Sequence, residues 1–316
     1  MNDLRIRPIL VTGSHRSGST WVGRMISLSP SIGYIREPFN LYHRPGVCSA
    51  RFDCWFPYIC NENASTYLTD IKNCIEFRYR LKNEIAAIRT VRDVARLVRD
   101  WPYFLLNRAF KKRALLRDPI ALFSAPWLAE TFNMDVVVLL RHPAAFAGSL
   151  KKVGWKHPFD HFLKQHLLMK HHLQEFESRI GSIINSGADI IDQAILLWNI
   201  IHYMILKFKG DYPNWIFVRH EDLSMNPVSS FSEIFRKIEV NYTNSIQNQL
   251  TKFSTEKKTN KIRYLGHIMR NSHSNIKSWF HRLSDDEISR IREGTLEISE
   301  MFYTEDDWKN SGAGSY

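Results

Sequence analysis

Apolar positions in this chain fall into two kinds of stretch, short unbroken runs and longer segments with helical spacing. The run Pro8-Ile9-Leu10-Val11-Thr12 has strand length. It passes through the small-residue loop Gly13-Ser14-His15-Arg16-Ser17-Gly18 into Trp21, Val22, Met25, Ile26 and Leu28, which share a helix face. The spacing predicts strand, loop, helix. A second unbroken run, Asp135-Val136-Val137-Val138-Leu139-Leu140, suits a parallel strand buried on both faces. Arg141 closes it, and His142-Pro143 turn the chain into a helix carrying Ser149. Shorter extended pieces are expected at 31–39, at 114–119 and at the start of 215–223. The first places Glu37 at a strand end, since Pro38 pushes the preceding residue out of the α region. Residues 75–112 have helical spacing with many cations, which reads as a solvated helix face with a membrane or acidic-acceptor contact as the alternative. The run 194–206 reads as a buried helix, too short for the ~20 residues that span a bilayer. Ser284 and Glu287 have capping-box spacing at the start of a last helix.

At 316 residues and 44% apolar content the chain can form one large α/β domain or two small ones. Lys and Arg number 43 against 32 Asp and Glu, a net charge of +11, which favours anionic ligands, nucleic acid or a membrane surface. The cations are spread along the chain and no nucleic-acid module is recognisable, so nucleic acid ranks low. With no signal peptide or transmembrane run read at the start, a cytoplasmic location is expected, with peripheral membrane contact as an option. Cys48, Cys54, Cys60 and Cys74 lack the paired spacing of a zinc site. They mark a Cys/aromatic substrate loop at about 42–74 that is braced by disulfides or holds a metal, with reduced thiols as the alternative. His157, His161, His166, His171 and His172 cluster without an H-E-x-x-H arrangement, so no metal site is expected; a solvent-facing or acceptor-lining helix is.

A strand–loop–helix with glycines at 13 and 18 presents backbone N–H groups and a helix dipole to an anion. The spacing matches G-x-x-x-x-G-K-[ST], but Ser19 and Thr20 stand where the Lys-[ST] pair would be, so the charge needed for a triphosphate is missing. Arg16 is the loop's cation. Arg16-Ser17-Gly18-Ser19-Thr20 resembles the 5′-phosphosulfate loop of sulfotransferases that use 3′-phosphoadenosine 5′-phosphosulfate (PAPS), in the Arg form common among carbohydrate sulfotransferases. Arg141, Pro143 and Ser149 resemble the family's 3′-phosphate motif, in which a guanidinium fork and a hydroxyl grip phosphate oxygens.

The resemblance implies a single-domain α/β fold, residues 1–309, with a P-loop-like parallel sheet flanked by helices on both faces, and a flexible tail at 310–316. It implies transfer of a sulfuryl group from PAPS to an acceptor hydroxyl, with a carbohydrate or glycolipid favoured. Ser14, His15, Arg16, Ser17, Gly18, Ser19 and Thr20 would bind the donor with Arg141, Ser149 and, in a closing loop, Arg270; Lys277 is a weaker candidate there. Arg16 and Arg117 would offset charge on the leaving phosphate, and Glu37 would act as the base, because the family's His base is absent after Arg117-Asp118-Pro119. Structural alternatives are a surface Glu37 paired with Arg36 or Arg24, and an Arg117 paired with Asp118 or Glu130. Arg219 and Glu221, in a segment resembling Arg-Tyr-Glu-Asp-Leu, read as a mutually paired scaffold couple. The rival functions are a small-molecule kinase of P-loop topology and a non-catalytic basic protein that binds glycans or membranes.

Overall fold

The five expected strands form in a computed structural model that describes residues 7–255 and 276–309. They are β1 (Ile9–Gly13), β2 (Ile32–Arg36), β3 (Arg113–Arg117), β4 (Asp135–Leu140) and β5 (Ile216–Arg219), in the order β2-β3-β1-β4-β5. β3 runs parallel to both β1 and β2, with Ile9 opposite Leu115 and Ile32 opposite Arg113. β1 and β3 are buried along their whole length, around the apolar stretches Ile9–Val11 and Ala114–Leu116. Arg113 is buried in β3 because it pairs with Asp135.

The chain falls into two compact units, residues 1–13 with 19–137, and residues 14–18 with 138–316. In the first, the helices Ser19–Ile26, Ala64–Ile75, Val91–Ala109 and Ala125–Phe132 accompany β1 to β3. The expected substrate loop is shorter than its sequence suggests: Ala64–Ile75 is helical, and Cys74 lies on that helix, buried like Cys48. None of the four cysteines is in a disulfide. Arg44 anchors this loop by pairing with the buried carboxylates of Glu84 and, at 2.8 Å, Asp93.

In the second unit the helices Pro143–Val153, Ile190–Asp211 and Asp285–Ser299 pack on one another. Ser284 and Glu287 form the anticipated capping box. The apolar helix extends beyond 194–206 to 22 residues and by length and composition could cross a membrane. Its core position accounts for its character instead: Leu197, Trp198, Ile201, Met204 and Ile205 are buried, and Asn199 Nδ2 donates to Gly294 O at 2.7 Å. A Cβ on Gly294 would lie 2.8 Å from Ile195, which shows how closely the two helices approach. The His-rich segment is not one solvent-facing helix. It is broken into short turns, including a π turn at Met169–Leu173, and His157 is buried among Trp155, Phe159 and Phe162. Arg270 and the tail at 310–316 lie outside the described residues.

Candidate functional site

The loop Ser14–Gly18 belongs to the second unit and is stitched there by its own backbone. Ser14 N–H donates to Leu139 O at 2.9 Å, at the end of β4, and Ser17 N–H to Ser14 O at 3.3 Å. Both serine hydroxyls are turned inward, Ser14 Oγ to His15 O and Ser17 Oγ to Ser14 O. Ser17 thus turns both its N–H and its hydroxyl toward Ser14 O. His15 is also structural: its ring lies edge-on to Phe146 and Trp155, each 4.8 Å away. Burial, assisted by Arg16 and His202, holds its pKa down to about 3, so the ring is neutral.

Arg16 is exposed and has φ 66°, while Gly18 has φ 86°. A Cβ on Gly18 would sit 2.6 Å from His220 Nδ1, so glycine is required both by conformation and by the ring above it. The Arg16 guanidinium donates from Nε to Ser149 Oγ at 2.8 Å. The two sequence motifs thus meet. Ser19 and Thr20 open the helix Ser19–Ile26, whose N-terminus follows the loop directly.

Arg141 is buried at the end of β4, and its carbonyl accepts from Trp198 Nε1 at 2.8 Å. Its Nε has no hydrogen-bond partner and lies 3.8 Å from Glu221 Oε1. Burial lowers the Arg141 pKa and Glu221 raises it, while Arg282 and Arg16 reinforce the lowering. Arg16 and Arg282 thus add positive charge near Arg141, whose one paired carboxylate is Glu221, and a positive field of this kind favours an anion. Glu221 also accepts from His142 N–H at 3.2 Å and Tyr303 O–H at 3.4 Å. It is not the partner of Arg219, as its position two residues away suggests. Arg219 pairs with Asp307 and, at 3.6 Å, Asp222, because residues on either side of a strand-to-helix turn point to different neighbours. Lys277 Nζ is bonded to the carbonyls of Lys309 and Asp306.

In the first unit, Glu37 follows β2 with φ 45°. Its N–H donates to Arg117 O at 3.0 Å, extending the β2–β3 ladder by one bond. Its carboxylate accepts from Arg117 Nη1 and, at 3.2 Å, from Asn40 Nδ2. Neither Arg36 nor Arg24 is the partner; the Arg24 guanidinium lies over the Tyr34 ring, 4.5 Å from its centroid. Arg117 is buried and also donates from Nε to Tyr34 Oη at 3.0 Å. Burial works against its charge, yet Tyr34 and Glu37 hold its pKa above the ordinary value. Asp118, instead of pairing with Arg117 alone, accepts from the N–H groups of Phe39 at 2.6 Å and Ile120 at 2.9 Å. Burial raises its pKa to about 7.

Four of the left-handed non-glycine residues, Phe77, Lys111, Asn133 and Glu239, lie at or just beyond helix ends, where that conformation is common. Arg16, Glu37 and Phe56 have it away from helix ends, Arg16 and Glu37 soon after strands. Sequence reasoning missed Tyr34, Asn40, Glu221 as the Arg141 partner, and His220 as the cover of Gly18. Only Glu221 had a signal, as a carboxylate just after a short apolar strand.

No protein-family model matches the chain, and no curated protein matches it. Solved structures similar to it include the sulfotransferase domain of the olefin synthase from Synechococcus PCC 7002, at 14% identity and TM-score 0.47, covering 96% of this chain and 98% of that one. Another is the sulfotransferase domain from the curacin biosynthetic pathway, at 16% identity and TM-score 0.48, covering 95% and 99%. A third is the mouse sulfotransferase SULT7A1 complexed with PAP, at 12% identity and TM-score 0.45, covering 94% and 86%.

Proposed function

We propose that the chain is a PAPS-dependent sulfotransferase that acts on an acceptor hydroxyl. The observation that carries this reading is the Arg16–Ser149 hydrogen bond, which joins the phosphosulfate-like loop to the 3′-phosphate-like motif. Arg141, with a buried Nε that has no hydrogen-bond partner, adds a second guanidinium of the type that binds phosphate. In this reading Arg141 and Ser149 hold the 3′-phosphate, and Arg16 with the amides that open the first helix holds the phosphosulfate.

Glu37 takes the acceptor proton while the acceptor oxygen bonds to sulfur and the bond from sulfur to the bridging phosphate oxygen breaks. The leaving group is adenosine 3′,5′-bisphosphate. Arg16 and Arg117 offset the charge it gains. Arg117 and Asn40 also fix the carboxylate, one to each oxygen, so that the base is oriented before the acceptor binds. The Arg form of the loop supports a carbohydrate or glycolipid acceptor. The test is transfer of labelled sulfate from PAPS to a panel of glycans and glycolipids. Glu37→Gln is expected to lower turnover by about 10²–10⁴-fold while binding of adenosine 3′,5′-bisphosphate is unchanged. Unchanged turnover would remove Glu37 from the role of base.

A further inference from the structure

The helix Val91–Ala109 is fastened to the first unit by one narrow stripe. Asp93, Phe104 and Asn107 are its buried residues. Asp93 pairs with Arg44 at 2.8 Å, and Phe104 lies edge-on to Phe77 and Tyr79. The opposite face is apolar and open. Val91, Val94, Val98, Trp101 and Leu105 recur at alternating steps of three and four, and all five are exposed, Val91 to 85% and Val98 to 66%. Leu106 and Phe110 extend the patch, with Phe110 71% exposed.

The borders of this face are basic. The helix carries Arg92, Arg96, Arg99 and Arg108, and Lys111 and Lys112 follow it. Its acidic residues, Asp93 and Asp100, are already engaged by Arg44 and Arg96 and by Arg99. We propose that this face docks on an anionic lipid surface, with the Val/Trp/Leu stripe entering the headgroup boundary and the arginines meeting lipid phosphates and carboxylates. Charge complementarity selects this occupant. In a second copy packed face to face, the same basic borders would meet each other with no spare carboxylate on the helix to offset them.

The test is sedimentation of the 316-residue chain with phosphatidylcholine vesicles, with and without phosphatidylserine. The chain sediments with the phosphatidylserine vesicles, and less so as salt rises. Val98→Asp combined with Leu105→Ser lowers the bound fraction by about tenfold or more. Arg92→Glu combined with Arg108→Glu, at exposed positions outside the core, does the same and keeps the test valid if the apolar variant is less stable. No sedimentation with phosphatidylserine vesicles at low salt overturns the proposal, as does binding that both variants leave unchanged. A concentration-dependent dimer that Val98→Asp dissociates also overturns it, by assigning the face to a second copy.

Discussion

Arg16 and Ser149 stand 133 residues apart and are joined by a 2.8 Å hydrogen bond from Nε to Oγ. One belongs to a loop set by glycine geometry, the other to a helix whose start is fixed by Pro143. Their contact joins the loop to the helix, the two pieces proposed above to hold the donor's phosphates. Ser149→Ala removes a neutral hydroxyl and is expected to weaken adenosine 3′,5′-bisphosphate about tenfold, whereas Arg16→Ala removes a charged donor and costs about 10–100-fold. Because the residues touch, the double variant loses less than the product of the two, which titration calorimetry on the four proteins measures.

Arg141 has a structural task beside its proposed role on phosphate, because Glu221 is buried and Arg141 is the cation paired with it. Arg141→Met is expected to destabilise the fold by about 3–5 kcal/mol, the usual result of stranding one member of a buried pair. Adding Glu221→Gln recovers part of that stability and none of the ligand binding. Thermal unfolding and calorimetry on both variants separate the two tasks.

Acid stability follows from three buried rings. Burial holds His15, His142 and His202 down to about 3, against an ordinary value of 6.5. Between those values the unfolded chain binds three protons that the folded chain refuses, so their contribution is complete above pH 6.5 and is lost as pH falls. Each ring accounts for at most about 1.4 kcal/mol per pH unit. Asp118, raised to about 7 from 3.8, opposes this with one proton over much of the same window. Burial also holds His157 and His220 low and raises Glu221 and Asp222, so the lowered rings outnumber the raised carboxyls; the balance is a net loss on acidification, and unfolding is expected well above pH 3. His142→Phe keeps the stack on Trp279 and is expected to move the acid midpoint lower in a pH series of unfolding curves. An unmoved midpoint would contradict the buried neutral state of that ring.

The strands and the turn geometry of the glycine loop were legible because they depend on local patterns. An unbroken apolar run such as 136–140 has few alternatives to a buried strand, and glycines at 13 and 18 impose backbone conformations that other residues resist. Partner choice was not legible. Glu37 bonds to Arg117, 80 positions away, and Glu221 to Arg141 rather than to nearby Arg219, because parallel pairing brings together strand ends that are remote in sequence. The His-rich stretch misled for a related reason: His157 is apolar enough when neutral to fill a core lined by Phe159 and Phe162, so its burial carries no chemical signal.

The central claim is that the loop accepts a phosphosulfate nucleotide rather than a triphosphate, and comparative thermal unfolding tests it most directly. Adenosine 3′,5′-bisphosphate at 100 times its dissociation constant should stabilise the folded chain by about 2.7 kcal/mol. It should raise the melting temperature clearly more than ATP or ADP with magnesium, and the advantage should disappear in Arg16→Ala. An equal or larger shift with ATP, or a bisphosphate shift that Arg16→Ala leaves intact, would contradict the account.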